Sequence, residues 1–71
     1  MAAVAADSVC RWAFADLGLY RIQLRHAVGN TASARVAEKA GFSREGRLRQ
    51  SYRYADGTRH DELLWARLAT D

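Results

Sequence analysis

Asn30, Ser33, Arg35 and Lys39 are the side chains whose types and spacing most invite chemistry. They share the stretch Asn30 to Phe42, which reads as a short helix marked at both ends. Asn30 is a good N-cap, because its side-chain oxygen takes a free N–H of the first turn. Gly41 suits the left-handed position just past a helix, and Lys39 sits in the last turn, where the dipole favours a cation. A small-residue helix start also leaves backbone N–H groups able to hold an anion. Arg35 and Lys39 stand at i, i+4. They read either as a solvated face with Glu38 alongside or as a contact to phosphate, the arginine two-pronged and the lysine a point charge. On spacing alone, Asn30 need only cap and Ser33 need only be a small first-turn residue.

Other candidates are weaker. Tyr52 and Tyr54 read as core or as the wall of a pocket, and an uncharged tyrosine, with a pKa of about 10, is a poor base. Asp61 and Glu62 are carboxylates on the strand expected to face them. His26 falls on the apolar face of a strand and reads as a hydrogen-bonded core residue; His60 follows a turn and reads as exposed. Neither has a second ligand at metal-site spacing, so no zinc site is expected. Cys10 reads as a small buried apolar residue. Arg47, Arg49 and Arg53 would line one strand face, but the aromatics fall on the other and no RNA-binding signature accompanies them, so nucleic acid is not an expected partner.

The elements that must position these side chains are legible from periodicity. Residues 3 to 17 read as an amphipathic helix with Ala2, Ala6, Val9, Cys10, Ala13, Phe14 and Leu17 on one stripe and Asp7, Ser8, Arg11 and Ala15 opposite. Trp12 falls at the stripe's edge, and Gly18 ends the helix with Leu19 behind it. Tyr20 to Val28 alternates strictly, Tyr20, Ile22, Leu24, His26 and Val28 facing one way. Asp56-Gly57 between alternating segments predicts a hairpin of Leu48–Tyr54 and Arg59–Leu68. A two-residue loop pairs Tyr54 with Arg59, Tyr52 with Asp61, Gln50 with Leu63 and Leu48 with Trp65, with a bulge at Gly46. The fold class is thus α+β, in the order helix, strand, helix, strand, strand.

The chain has 71 residues, which bounds it to one small domain, 1–71. Cys10 is the only cysteine, so no disulfide framework supports the fold. A lone cysteine and no signal peptide point to a cytoplasmic setting. Asp7 interrupts the apolar start well short of a membrane span, so no membrane association is expected. The net charge of +3 suits a phosphate-bearing ligand and also suits an ordinary soluble protein.

The pattern Asn30-x-x-Ser33-x-Arg35-Val36-x-Glu38-Lys39-x-Gly41-Phe42-x-x-Glu45-Gly46-x-Leu48-Arg49 resembles the C-terminal half of GNAT-type N-acetyltransferases, nearest the ribosomal-protein (RimJ/RimL-like) branch. The resemblance runs from about Val4 to Ala69. It implies a partial GNAT (acyl-CoA N-acyltransferase) fold with a C-terminal β-hairpin. The glycine loop that holds the coenzyme A pyrophosphate in the first half of that family has no counterpart here.

The resemblance implies acyl transfer from acetyl-CoA, as co-substrate, to a primary amine such as a protein N-terminus, by direct attack and without a metal. It places Asn30 on the pantetheine arm, Ser33 beside the thioester sulfur as the proton donor, and Arg35 and Lys39 near the coenzyme phosphates. The tyrosine that many members use as this acid falls on Ala37, and the glutamate base of some relatives falls on Tyr52, which leaves Asp61, Glu62 or a residue of the missing half. The isolated chain is expected to be inactive, and to form a homo-oligomer or to associate with a missing half. The alternative is a non-catalytic truncated remnant that self-associates or binds a partner.

Overall fold

The computed structural model describes residues 2–71; Met1 and the side chain of Ala2, which the sequence places on the first helix's stripe, lie outside the described residues. The elements are α1 (Ala2–Asp16), β1 (Arg21–Ala27), α2 (Thr31–Lys39), β2 (Ser43–Arg53) and β3 (Arg59–Leu68). The order is the expected one, and the class is α+β. The three strands form one antiparallel sheet in the order β1-β3-β2. Ile22, Leu24 and His26 stand opposite Arg67, Trp65 and Leu63, so these six share the face on which both helices lie. Cys10 of α1, Ala37 and Ala40 of α2's end, Phe42, Leu63 and Trp65 make the core.

The helix boundaries follow local chemistry. Asn30 Oδ1 accepts from the Ser33 N–H at 3.1 Å. At the other end Gly41 takes φ +86°, its N–H donates to the Glu38 carbonyl, and the Phe42 N–H reaches the Ala37 carbonyl at 3.0 Å. This satisfies two carbonyls that a helix end would otherwise leave free, and Phe42 buries itself as the accompanying hydrophobic contact. Gly18 likewise takes φ +67° as the chain leaves α1.

Three expectations need correction. The buried face of α1 is rotated from the predicted stripe: Cys10 and Ala13 are buried, but Val9 and Leu17 are 60% and 56% exposed. Asp7, placed by periodicity on the wet side, is drawn inward instead. Its Oδ1 accepts from Arg67 Nη1 at 2.6 Å, and Oδ2 pairs with Arg11 at 3.0 Å. Tyr20 precedes β1 and is 61% exposed, so the alternating pattern begins one residue later than read.

The hairpin register also differs. The turn has three residues: the Tyr54 N–H donates to the Thr58 carbonyl, the Gly57 N–H to the Tyr54 carbonyl, and Gly57 takes φ +89°. A type I turn closed by a left-handed glycine is the next most favoured hairpin after the two-residue form. Tyr52 therefore pairs with His60 and Arg53 with Arg59. The ladder then breaks between Tyr52 and Leu48, where Gln50 adopts φ +50° and its N–H donates to Asp61 Oδ1. Beyond the break Leu48 pairs with Glu62, not Trp65. A second shift between Gly46 and Arg44 is the bulge that Gly46 signalled, and β2 continues back to Ser43. The bulged Glu45 reaches across β3 to accept from Arg21 Nη1 at 2.8 Å, tying the two outer strands together.

Three of these carboxylates share a pH dependence. Arg67 holds Asp7 below the usual carboxylate range, Arg21 does so for Glu45, and the Gln50 N–H and then Arg47 do so for Asp61. Each is lower folded than unfolded, so its contribution is complete above the ordinary values of 3.8 and 4.5. That contribution is lost as pH falls through the lower folded values. The melting temperature is expected to stay level from about pH 7 to 5 and to fall below about pH 4, with a shallower acid limb in Asp7→Asn. A melting temperature that ignores acid down to about pH 2 contradicts this assignment.

Candidate active site

β1 ends at Ala27, and α2 begins at Thr31 after the turn Val28-Gly29-Asn30. The Val28 N–H donates to the Asp61 carbonyl, and the Asn30 N–H to the Ala27 carbonyl, both at 2.9 Å. These bonds fix the turn to the sheet and aim the start of α2 at the hairpin. A cleft of about 290 Å³ results, lined by Arg25, His26, Ala27, Asn30, Ser33, Tyr52 and Tyr54. It brings together two of the sequence-predicted site residues, Asn30 and Ser33, with both tyrosines. Tyr52 and Tyr54 meet edge to face at 5.1 Å, and His60 lies 4.2 Å from the Tyr54 ring. The tyrosines are thus a cleft wall and not core, at 41% and 38% exposure.

The cleft has polar groups in defined states. Asn30 spends its carbonyl oxygen on the Ser33 N–H, which leaves its amide N–H groups as donors towards the cleft. Ser33, half-buried, presents a hydroxyl one turn into the helix. His26 is buried with both ring nitrogens engaged: Nε2 accepts from Trp65 Nε1 at 2.9 Å, so Nδ1, 2.8 Å from the Ala27 carbonyl, carries the proton. It is the hydrogen-bonded core residue the sequence suggested, and its ring serves as a floor, not as a base.

Arg35 and Lys39 lie outside the cleft, exposed on α2 and without an ion-pair partner among the described residues. The carboxylates proposed as substitutes for a base are committed elsewhere. Asp61 accepts from the Gln50 N–H and from Arg47 Nε at 2.6 Å, and a carboxylate held this far towards its ionised form is a weak base. Glu62 is buried and accepts from Ser51 Oγ at 2.8 Å. Among the described residues the cleft is lined by no carboxylate. Ala37, where the family's tyrosine falls, is fully buried in the core. Arg25 was not singled out by spacing; its only signal is its place, outward-facing near the end of the strand that feeds the helix.

Comparison with known proteins agrees with this architecture. Residues 1–43 match the family described as Acetyltransferase (GNAT) domain. YdaF of Bacillus subtilis (strain 168), named for a proposed ribosomal N-acetyltransferase activity, is 36% identical over 64 residues, covering 90% of this chain and 34% of YdaF. The crystal structure of a GNAT-family acetyltransferase from Bacillus anthracis superposes with a TM-score of 0.89 at 31% identity, over 99% of this chain and 42% of that one. A dodecameric spermidine N-acetyltransferase from Vibrio cholerae superposes at 0.86 and 25% identity, over 96% and 39%. The chain belongs to the GNAT acetyltransferase family. It spans about a third of the length of the curated relatives it matches.

The donor set suits an acyl-coenzyme A. Free amide N–H groups on Asn30 match a carbonyl-bearing arm, the Ser33 hydroxyl can meet a sulfur, and two uncommitted cations on α2 match phosphates. The Asn30 cap is separable from that role. Asn30→Ala is expected to cost about 1 kcal/mol in chemical denaturation, and Asn30→Asp much less, because aspartate caps equally well. Equal losses in the two variants overturn the cap.

Proposed function

We propose that this chain supplies the C-terminal half of an acetyl-CoA-dependent N-acetyltransferase of the cytoplasm, with the pyrophosphate-binding loop contributed from outside these 71 residues. The observation that carries the reading is the meeting of Asn30 and Ser33 with an aromatic wall in one cleft. Acetyl-CoA supplies the activated acyl group when bound. Asn30 holds the arm that carries it, and Arg35 and Lys39 hold its phosphates. As the amine nitrogen bonds to the acyl carbon and the carbon–sulfur bond breaks, Ser33 Oγ gives a proton to the departing sulfur, and the proton that the nitrogen sheds restores the Ser33 hydroxyl. A hydroxyl is a poor acid in bulk water and a useful one beside a developing thiolate in a dry site. The acceptor is a primary amine, and a protein N-terminus suits this cleft better than spermidine, because Arg25 at its rim repels a polycation.

In the longer enzyme, Ser33→Ala is expected to lower kcat by about 10²–10⁴-fold while the KM for acetyl-CoA changes little. The lost group acts only as the thiolate forms, so its removal weakens the transition state selectively. Asn30→Ala is expected to raise the KM for acetyl-CoA instead. Unchanged turnover in Ser33→Ala removes the acid from Ser33. By itself the 71-residue chain is expected to bind acetyl-CoA weakly, since the start of α2 is only part of an anion site.

A second reading, a self-associating or partner-binding module, is favoured by an apolar cleft of about 370 Å³ between α1, α2 and β1, with the exposed Val9 on its rim. Sedimentation at low micromolar concentration is expected to show a dimer or larger species. A single monomer that unfolds sharply argues against it.

A further inference from the structure

Arg53 and Arg59 stand directly opposite each other on the last rung of the β2–β3 ladder before the turn. Both are exposed, and among the described residues neither has a carboxylate partner. Like charges facing each other across an antiparallel ladder destabilise it, so this rung costs the hairpin stability and returns none within the fold. The nearby acids are committed. Asp56 Oδ1 accepts from the Thr58 N–H and hydroxyl at 2.9 and 2.7 Å, and Asp61 accepts from Gln50 and Arg47. Arg49 acts on Asp61 only through its charge. Two cations at the hairpin tip, Arg53 and Arg59, are therefore left for something outside the chain.

We propose that Arg53 and Arg59 bind an acidic peptide segment, the continuation of the acceptor polypeptide beyond the amine in the Ser33 cleft. The proposal rests on the acetyltransferase reading and specifies its acceptor. Tyr52 and Tyr54 face the cleft, and Arg53 between them faces away by strand alternation. β2 is an outer strand, so a polypeptide leaving the cleft past Tyr54 rounds an open edge and meets the arginine pair. Arginine forks match aspartate and glutamate carboxylates two bonds at a time. Single-stranded RNA fits this surface less well. It stacks its bases on aromatics beside its phosphate contacts, whereas Tyr52, Tyr54 and His60 lie against one another on the other side.

The test is binding of fluorescently labelled peptides by the full chain, read as anisotropy at low salt and at about 0.3 M salt. The probes are an aspartate- and glutamate-rich peptide with a free N-terminus, a serine–glycine peptide of equal length, a lysine-rich one and a random single-stranded RNA. The acidic peptide is expected to bind at least about tenfold tighter than the others and to weaken with salt. Arg59→Glu is expected to reduce that binding about tenfold or more and to raise the melting temperature, since opposite charges then face each other on the rung. A variant that gains stability while losing binding excludes misfolding as the cause. The double variant Arg53→Lys, Arg59→Lys is expected to keep the salt dependence but to bind the acidic peptide more weakly than the parent, because lysine keeps the charge and lacks the fork. Equal binding of acidic and neutral peptides, tighter binding of RNA, or unchanged binding in Arg59→Glu overturns the proposal. The kinetics of Ser33→Ala decide the acetyltransferase reading separately, because peptide binding requires no acetyl transfer.

Discussion

One guanidinium holds this fold together. Arg67 on β3 donates through Nη1 to Asp7 of α1 at 2.6 Å and to the Ala40 carbonyl at the end of α2 at 2.7 Å, and its Cζ lies 5.8 Å from the Phe14 ring centroid. Its side chain is only 12% exposed, so these bonds are made largely out of water, where a missing partner is expensive. The hydrophobic core cannot do this alone. Half of its residues are small, Ala37, Ala40 and Cys10, which let the helices approach closely but bury little area each. The planar cation sets where both helices sit on the sheet.

That constraint reaches the cleft through α2. Its C-terminal end is fixed by Arg67 and by the Gly41 turn, and its N-terminal end by the Asn30 cap and the turn bonds to Ala27. Beneath the cleft, the Trp65–His26 bond joins β3 to the end of β1. Ser33 therefore projects from a short helix held at both ends, above a rigid floor, opposite a wall of two tyrosines. Rigidity of this kind is what a group that must meet one atom at one moment requires.

How much of this the sequence revealed depended on how local the cause was. α2 was legible to the residue, because the Asn30 cap, Gly41 and Phe42 each act within a turn of their own position. The inward face of β1 was legible too, since Ile22, Leu24 and His26 alternate without interruption. Asp7 was misplaced because its partner lies 60 residues away, and no helical periodicity carries that information. The hairpin register differs for two reasons: the turn takes three residues where Asp56-Gly57 suggests two, and the ladder is interrupted at Gln50, whose left-handed backbone is set by Asp61 on the neighbouring strand. The cleft is half visible: spacing marks Asn30 as a cap and the family resemblance marks Asn30 and Ser33 as site residues, whereas the closeness of Tyr52 and Tyr54 to them depends on that tertiary register.

The interruption at Gln50 divides β2 into two lengths of ladder that answer to different masters. Towards the tip, pairing is dictated by the Tyr54–Thr58 closure; towards the base, by the burial of Leu63 and Trp65. Three residues, Arg49, Gln50 and Ser51, stand there against Asp61 alone. The segment is slack in the chain. Gain or loss of a residue within it changes the size of the loop and leaves the partners on either side in register, so descendants of this sequence can vary in length at this seam without turning the tyrosines away from the helix.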